Sequence, residues 1–264
     1  MFALVSFFAA SLISPFFVEV SPEMRSTYVS LGKLLEDRPM MVTGSRVGFD
    51  TGRFGRFGAR NWEVSSLTGR RLDVHRHALY HSEFGPTWQY SLELAEKWRF
   101  ASDLTRSWTI YRGFKGPNDS SNCTYHWWQV DQSLENPYLV PFWRIRKAIR
   151  VSKYLYFKAG VRRKFRLWEN VALTPSVFAE GGSSKCVERI VGKNPYAEKW
   201  DCGPATVSFR LELSWSVSEW MSFFAYAEQY MVVGGEERTA IGRSSYRCAH
   251  SDWTYGGIGA RIKF

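Results

Sequence analysis

Long hydrophobic runs are almost missing from this sequence. Beyond residue 18 no stretch approaches the roughly 20 consecutive apolar residues that a membrane-spanning helix requires, which excludes a helical membrane protein. Cysteine is scarce. Cys123, Cys186, Cys202 and Cys248 are the full set and none stands in CxxC spacing, which argues against a structural zinc site. There is no Walker loop, and the spaced glycines of GRFGRFGAR lie in alternating sequence rather than before a helix start, so they do not read as a phosphate cradle. No zinc-finger, helix-turn-helix or RRM pattern accompanies the net charge of +10, and nucleic acid is not an expected partner. No GxSxG elbow is present. Neither a cofactor nor a metal is expected.

Aromatic side chains are what the chain has in abundance: 17% of 264 residues, with 12 Trp, 13 Tyr and 19 Phe. Charged residues, 23% of the total, are threaded singly between apolar ones, and the mean hydropathy is −0.29. Such alternation makes strands with one apolar and one polar face. In TVSFRLELSWSV, Val207, Phe209, Leu211, Leu213 and Trp215 share one face, with Ser208, Arg210, Glu212 and Ser214 on the other. KYLYFKAGVRRKFRL reads as one strand that sets Leu155, Phe157, Ala159 and Val161 against Tyr156, Lys158, Arg162, Lys164 and Arg166. NVALTPSVFAE, WQYSLEL, WRFASDLTRSWTI and YLVPFWRIRKAI repeat the pattern. Weaker strands are expected near 24–33, 40–50, 54–65, 123–133 and 219–233, the last with ambiguous phase.

The connections alternate too. TG at 51–52, AEK at 95–97, LENP at 134–137, LWEN at 167–170 and SE at 218–219 are short, whereas the alternate connections are generally longer, as in 182–203 and 234–250. Short turns at one end and long loops at the other describe an up-and-down meander. Sandwich strands run about 5–6 residues. These run nearer ten, the length of about 9–11 that a transmembrane strand needs. The expected fold is all-β: a single closed antiparallel up-and-down transmembrane β-barrel of about 12 strands, with apolar faces on lipid and polar faces in the lumen.

The ending WTYGGIGARIKF places Ile258, Ala260, Ile262 and Phe264 on one face. It resembles the closing strand of Gram-negative outer-membrane β-barrels, and STYVSLGKLLEDRPMMVTGSRVGF resembles the first hairpin of porin-like members. The resemblance implies that Phe264 is the signal read by the barrel-assembly machinery. It also implies a place integral to the bacterial outer membrane, among its lipid and lipopolysaccharide. The apolar opening MFALVSFFAASLISPFF fits an export signal over 1–17, leaving 18–264 as the barrel.

Inside such a barrel the alternation points Arg99, Arg144, Arg146, Lys158, Arg162, Lys164, Arg166, Arg210, Arg261 and Lys263 at the lumen, opposed by Glu93, Asp103, Glu180 and Glu212. Side chains of this kind either fill a narrow barrel as salt bridges or attract anions. Twelve-stranded porins for acidic sugars are the comparison the resemblance offers. The expected function is a porin-like channel for passive diffusion of small anionic solutes. A plugged structural or surface-interaction barrel is the alternative, and an outer-membrane hydrolase is less favoured.

With both termini at the periplasmic end, all four cysteines fall at the outer end, in an oxidising compartment. Cys186–Cys202 is the favoured local bridge, with Cys123–Cys248 second. His75, His77 and His81 would share a strand face but read as a solvated loop, and His126 and His250 have only sequence neighbours such as Ser251 and Asp252 as possible catalytic partners.

Overall fold

The computed structural model describes residues 16–30, 33–36, 39–67, 80–112, 122–149, 153–191, 200–242 and 251–264. In chain order its strands are β1 (Phe16–Arg25), β2 (Tyr28–Ser30), β3 (Lys33–Glu36), β4 (Met40–Asp50), β5 (Arg56–Ser66), β6 (Tyr80–Ala95), β7 (Trp98–Arg112), β8 (Asn122–Glu135), β9 (Val140–Ala148) and β10 (Leu155–Arg162). They continue as β11 (Phe165–Arg166), β12 (Val171–Gly182), β13 (Gly203–Ser216), β14 (Met221–Val232) and β15 (Asp252–Lys263). Two short helices interrupt the outer connections, α1 (Ser184–Val191) and α2 (Gly235–Gly242).

The sheet runs β10-β9-β8-β7-β6-β5-β4-β1-β15-β14-β13-β12, and β10 pairs with β12 to close it. The result is a closed antiparallel barrel of 12 strands, with β11 a short extension beside β12 and β2–β3 a separate hairpin. Closure leaves no unpaired edge, which is the condition for strands to lie in hydrocarbon. The seam is made by the two ends of the described chain. Val18 N–H donates to Phe264 O at 2.9 Å and Phe264 N–H donates to Val18 O at 2.7 Å. The Phe264 ring stacks on Trp220, with centroids 6.4 Å apart.

The outer face carries the apolar residues that the alternation assigns to it. Phe209, Leu211, Leu213 and Trp215 on β13, Leu92, Leu94 and Trp88 on β6, and Ile258 on β15 are all exposed. Aromatic rings meet across strands near the short-turn end, as in Phe49–Phe57, Phe57–Trp88 and Trp215–Phe223. This is the apolar band with an aromatic margin typical of lipid-facing barrels. The short connections are 51–55, 96–97, 136–139, 163–170 and 217–220, close to the expected turns.

Two strand boundaries differ from the expectation. First, the expected strand over 24–33 is instead the end of β1, which starts at Phe16, and the start of an outer connection with β2. Pro22 and the adjoining apolar run hide the alternation of Glu19, Ser21, Glu23 and Arg25, which face inward. Second, KYLYFKAGVRRKFRL is not one strand: pairing stops after Arg162 and resumes at Phe165, so Lys164 lies between strands. The adjacent Arg163 and Lys164 break the period of two. Cys186 and Cys202, the favoured bridge, are not joined to each other in this structure. Cys186 is buried on α1 with its thiol directed at Gly181 O, 3.3 Å away, whereas Cys202 is exposed before β13. Cys248, His75, His77 and His250 lie outside the described residues. Cys123 lies on β8 opposite Tyr111, and His81 on β6 opposite Tyr111 on one side and Val64 on the other.

Candidate functional site

The lumen is lined by every second residue of each strand, and register fixes which charges meet. On the β4–β9 wall, Arg46, Arg60, Glu83, Asp103, Asp131, Arg144 and Arg146 all point inward. Arg146 makes a forked pair to Glu83, with Nη1 and Nη2 at 3.1 and 2.8 Å from the two carboxylate oxygens, while its Nε donates to Gln129 at 2.8 Å. Both side chains are nearly inaccessible, at 7% and 6% exposure. Arg60 also approaches Glu83, at 3.8 Å. Arg46 pairs with Asp103 at 2.6 Å, and Asp103 accepts a further bond from the Thr87 hydroxyl at 2.8 Å. Arg144 pairs with Asp131 directly across from it on β8.

A second network occupies the β10–β1 wall. Lys158 lies 3.1 Å from Glu180, which also accepts from Tyr156 Oη at 2.9 Å. Arg210 pairs with Glu212 at 2.7 Å and approaches Glu228 at 3.8 Å; Arg261 reaches Glu212 at 2.8 Å. Arg25 and Tyr226 Oη both donate to Glu23. Gly257 makes room for that contact: a Cβ there would stand 2.8 Å from the Tyr226 ring and 2.9 Å from the Glu23 carboxylate. Guanidinium groups lie over lumen-facing rings, Arg210 over Tyr226 at 3.6 Å and Arg261 over Phe224 at 4.2 Å, which adds to the pairing.

The ten expected lumen cations therefore divide into two sets. Arg99, Arg144, Arg146, Lys158, Arg210 and Arg261 are each paired with a carboxylate, Arg99 with Glu135. Arg162, Lys164, Arg166 and Lys263 have no ion-pair partner among the described residues and are exposed. These four lie at the short-turn mouth, where β10 and β11 end and β15 closes the chain. Arg162 sits over the lumen-facing Phe142 ring at 5.6 Å. Arg166 pairs in register with Ala172, and Lys263 with Glu19, both inward positions. Exposed Glu169 and Glu219 sit on the adjoining turns, and exposed Glu93 is on β6, farther round the barrel. Sequence alternation places all these cations on one face but carries no information about which are already neutralised; that depends on cross-strand register.

The opposite mouth is built differently. Helix α1 turns Cys186, Val187, Ile190 and Val191 into the barrel, all buried. They pack in one cluster with Trp127 and Ala148 from β8 and β9 and with Tyr230, Val232 and Tyr255 from β14 and β15, at the long-loop end of the lumen. Its sequence signal is faint: CVERIV has apolar residues at i, i+1, i+4 and i+5, a helical stripe that is short and lies inside a loop. Both faces of β14 are aromatic: Phe224, Tyr226 and Tyr230 face inward while Phe223 faces out. His126 faces outward, edge-on to Trp108, and does not contribute to the lumen.

A closed barrel with an apolar exterior and an ion-paired lumen defines the outer-membrane β-barrel class. No protein-family model and no curated protein matches the chain. Among solved structures it resembles an outer membrane channel from Pseudomonas putida F1, with a TM-score of 0.53 and 8% identity over 96% of both chains. The KdgM porin in complex with disordered oligogalacturonate gives 0.49 and 10% identity, over 94% of this chain and 99% of that one. LpxR from Salmonella typhimurium gives 0.48 and 10% identity, over 93% and 99%. At these identities the likeness is one of fold.

Proposed function

We propose that this protein is a porin-like channel of the bacterial outer membrane that passes small anionic solutes by passive diffusion. The observation that carries the reading is the division of the lumen cations. Most are neutralised by carboxylates, and the remainder, Arg162, Lys164, Arg166 and Lys263, gather at one mouth. A basic ring at a pore entrance raises the local concentration of anions and favours their entry. The role is non-enzymatic in this reading. Outer-membrane lipid and lipopolysaccharide surround the apolar band, and Phe264, docked on Trp220 at the seam, is the residue offered to the barrel-assembly machinery.

Neutralising Arg162 and Lys263 together (R162Q/K263Q) is expected to reduce the anion preference severalfold in a planar bilayer at low salt. Screening makes the effect shrink as ionic strength rises. Unchanged ion selectivity in the double variant would remove these residues as the filter.

A second reading is a plugged structural barrel, favoured by the buried α1 cluster at the long-loop end of the lumen. The absence of single-channel current from correctly folded protein would establish it over the channel.

A further inference from the structure

Among the described residues two cations break the apolar exterior. Arg106 on β7 and Lys147 on β9 point outward, and both flank Trp128, which pairs in register with Arg106 on one side and Lys147 on the other. All three are exposed. Arg106 lies over the Trp108 ring at 5.1 Å and over Trp128 at 5.5 Å, so two indoles fix its guanidinium on the outer surface. Neither Arg106 nor Lys147 has an ion-pair partner among the described residues, in contrast to the paired cations of the lumen. Their level along the strands is informative. Along β7, Phe100 and Leu104 precede Arg106 from the short-turn end, and along β9, Trp143 and Ile145 precede Lys147. The pair therefore sits in the half of the wall nearer the long loops.

A charge on a lipid-facing wall is costly unless it reaches the interface and an opposite charge. Long cationic side chains do so by extending toward the headgroups. Two cations separated by about 10 Å, two strand spacings, with an indole between them, match a phosphorylated sugar headgroup: the cations meet phosphate and the indole lies against the sugar face. The outer leaflet offers that chemistry as lipopolysaccharide. We infer that Arg106, Lys147 and Trp128 form a docking site on the barrel exterior for the phosphorylated lipid A headgroup of lipopolysaccharide. The inference rests on the outer-membrane placement proposed above but not on conduction.

The test is native mass spectrometry of the full chain in detergent, titrated with diphosphorylated lipid A. The wild type is expected to hold one lipid A, and R106Q/K147Q to bind about 30-fold more weakly, from about a five- to sixfold loss per cation. R106K, which keeps the charge, should bind like the wild type, and dephosphorylated lipid A should bind the wild type as weakly as lipid A binds the double variant. Heat-modifiable migration checks that each variant is folded. Equal lipid A binding by the wild type and the double variant would overturn the site. So would equal binding of phosphatidylglycerol, which would make the surface a general anionic-lipid contact, or a dimer that forms without lipid and is lost in R106Q/K147Q. The single-channel current of R106Q/K147Q is expected to equal that of the wild type because neither residue faces the lumen. A wild type that binds lipid A without conducting would defeat the channel reading alone.

Discussion

Replacing Glu83 with alanine is expected to destabilise the barrel by about 3–5 kcal/mol, the cost of stranding a buried charge. Glu83 holds both guanidinium nitrogens of Arg146 in a fork and is approached by Arg60. Both partners of the fork are almost fully enclosed, so water does not replace the lost carboxylate. The effect should be far larger than at Arg99–Glu135, where the arginine is 46% exposed and the pair is screened. The measurement is the urea midpoint for loss of heat-modifiable migration, compared between E83A and E135A. The double change E83A/R146M should recover much of the loss, because an apolar side chain of similar length removes the orphaned charge, although Arg60 remains nearby. Equal midpoints for E83A and the wild type would show that the pair is hydrated and that the lumen is wetter at this level than the burial indicates.

Loosening α1 is expected to raise single-channel conductance severalfold, since hydrophobic constrictions gate pores by excluding water. Val187 and Ile190 are 3% exposed and pack in the cluster at the long-loop end of the lumen. Introducing aspartates there (V187D/I190D) buries unpaired charge and drives the helix out of the barrel. The strand network does not depend on α1, because each barrel strand is bonded to neighbours on both sides. The barrel should therefore remain folded while its outer mouth opens. A folded V187D/I190D protein with wild-type conductance would place the constriction elsewhere.

Most of the fold is legible in the sequence because a transmembrane barrel imposes a strict local rule. Each strand must put apolar residues on lipid every second position, and β13 and β15 follow it without exception near their centres. The rule fails where a different constraint governs. At β14 the inward face is aromatic, with Arg210 over Tyr226 and Arg261 over Phe224, so both faces look apolar. At β1, Pro22 and an apolar neighbourhood mask the inward Glu19 and Glu23. Over Arg163 and Lys164, consecutive cations mark a turn that the apolar pattern on either side conceals.

The candidate site was legible in kind but not in detail. Alternation finds Arg144, Arg210 and Arg162 equally, yet only register shows that Asp131 faces Arg144 and Glu228 faces Arg210. Arg106 interrupts the apolar face of WRFASDLTRSWTI, and its meaning comes from Trp128 and Lys147 on the two neighbouring strands.

The central claim is best tested by the reversal potential of the refolded wild-type chain in a planar bilayer under a salt gradient. Open-channel current with a reversal potential displaced toward the anion equilibrium value is the expected result. A folded barrel that carries no current, or one whose potential is displaced toward the cation value, would contradict it.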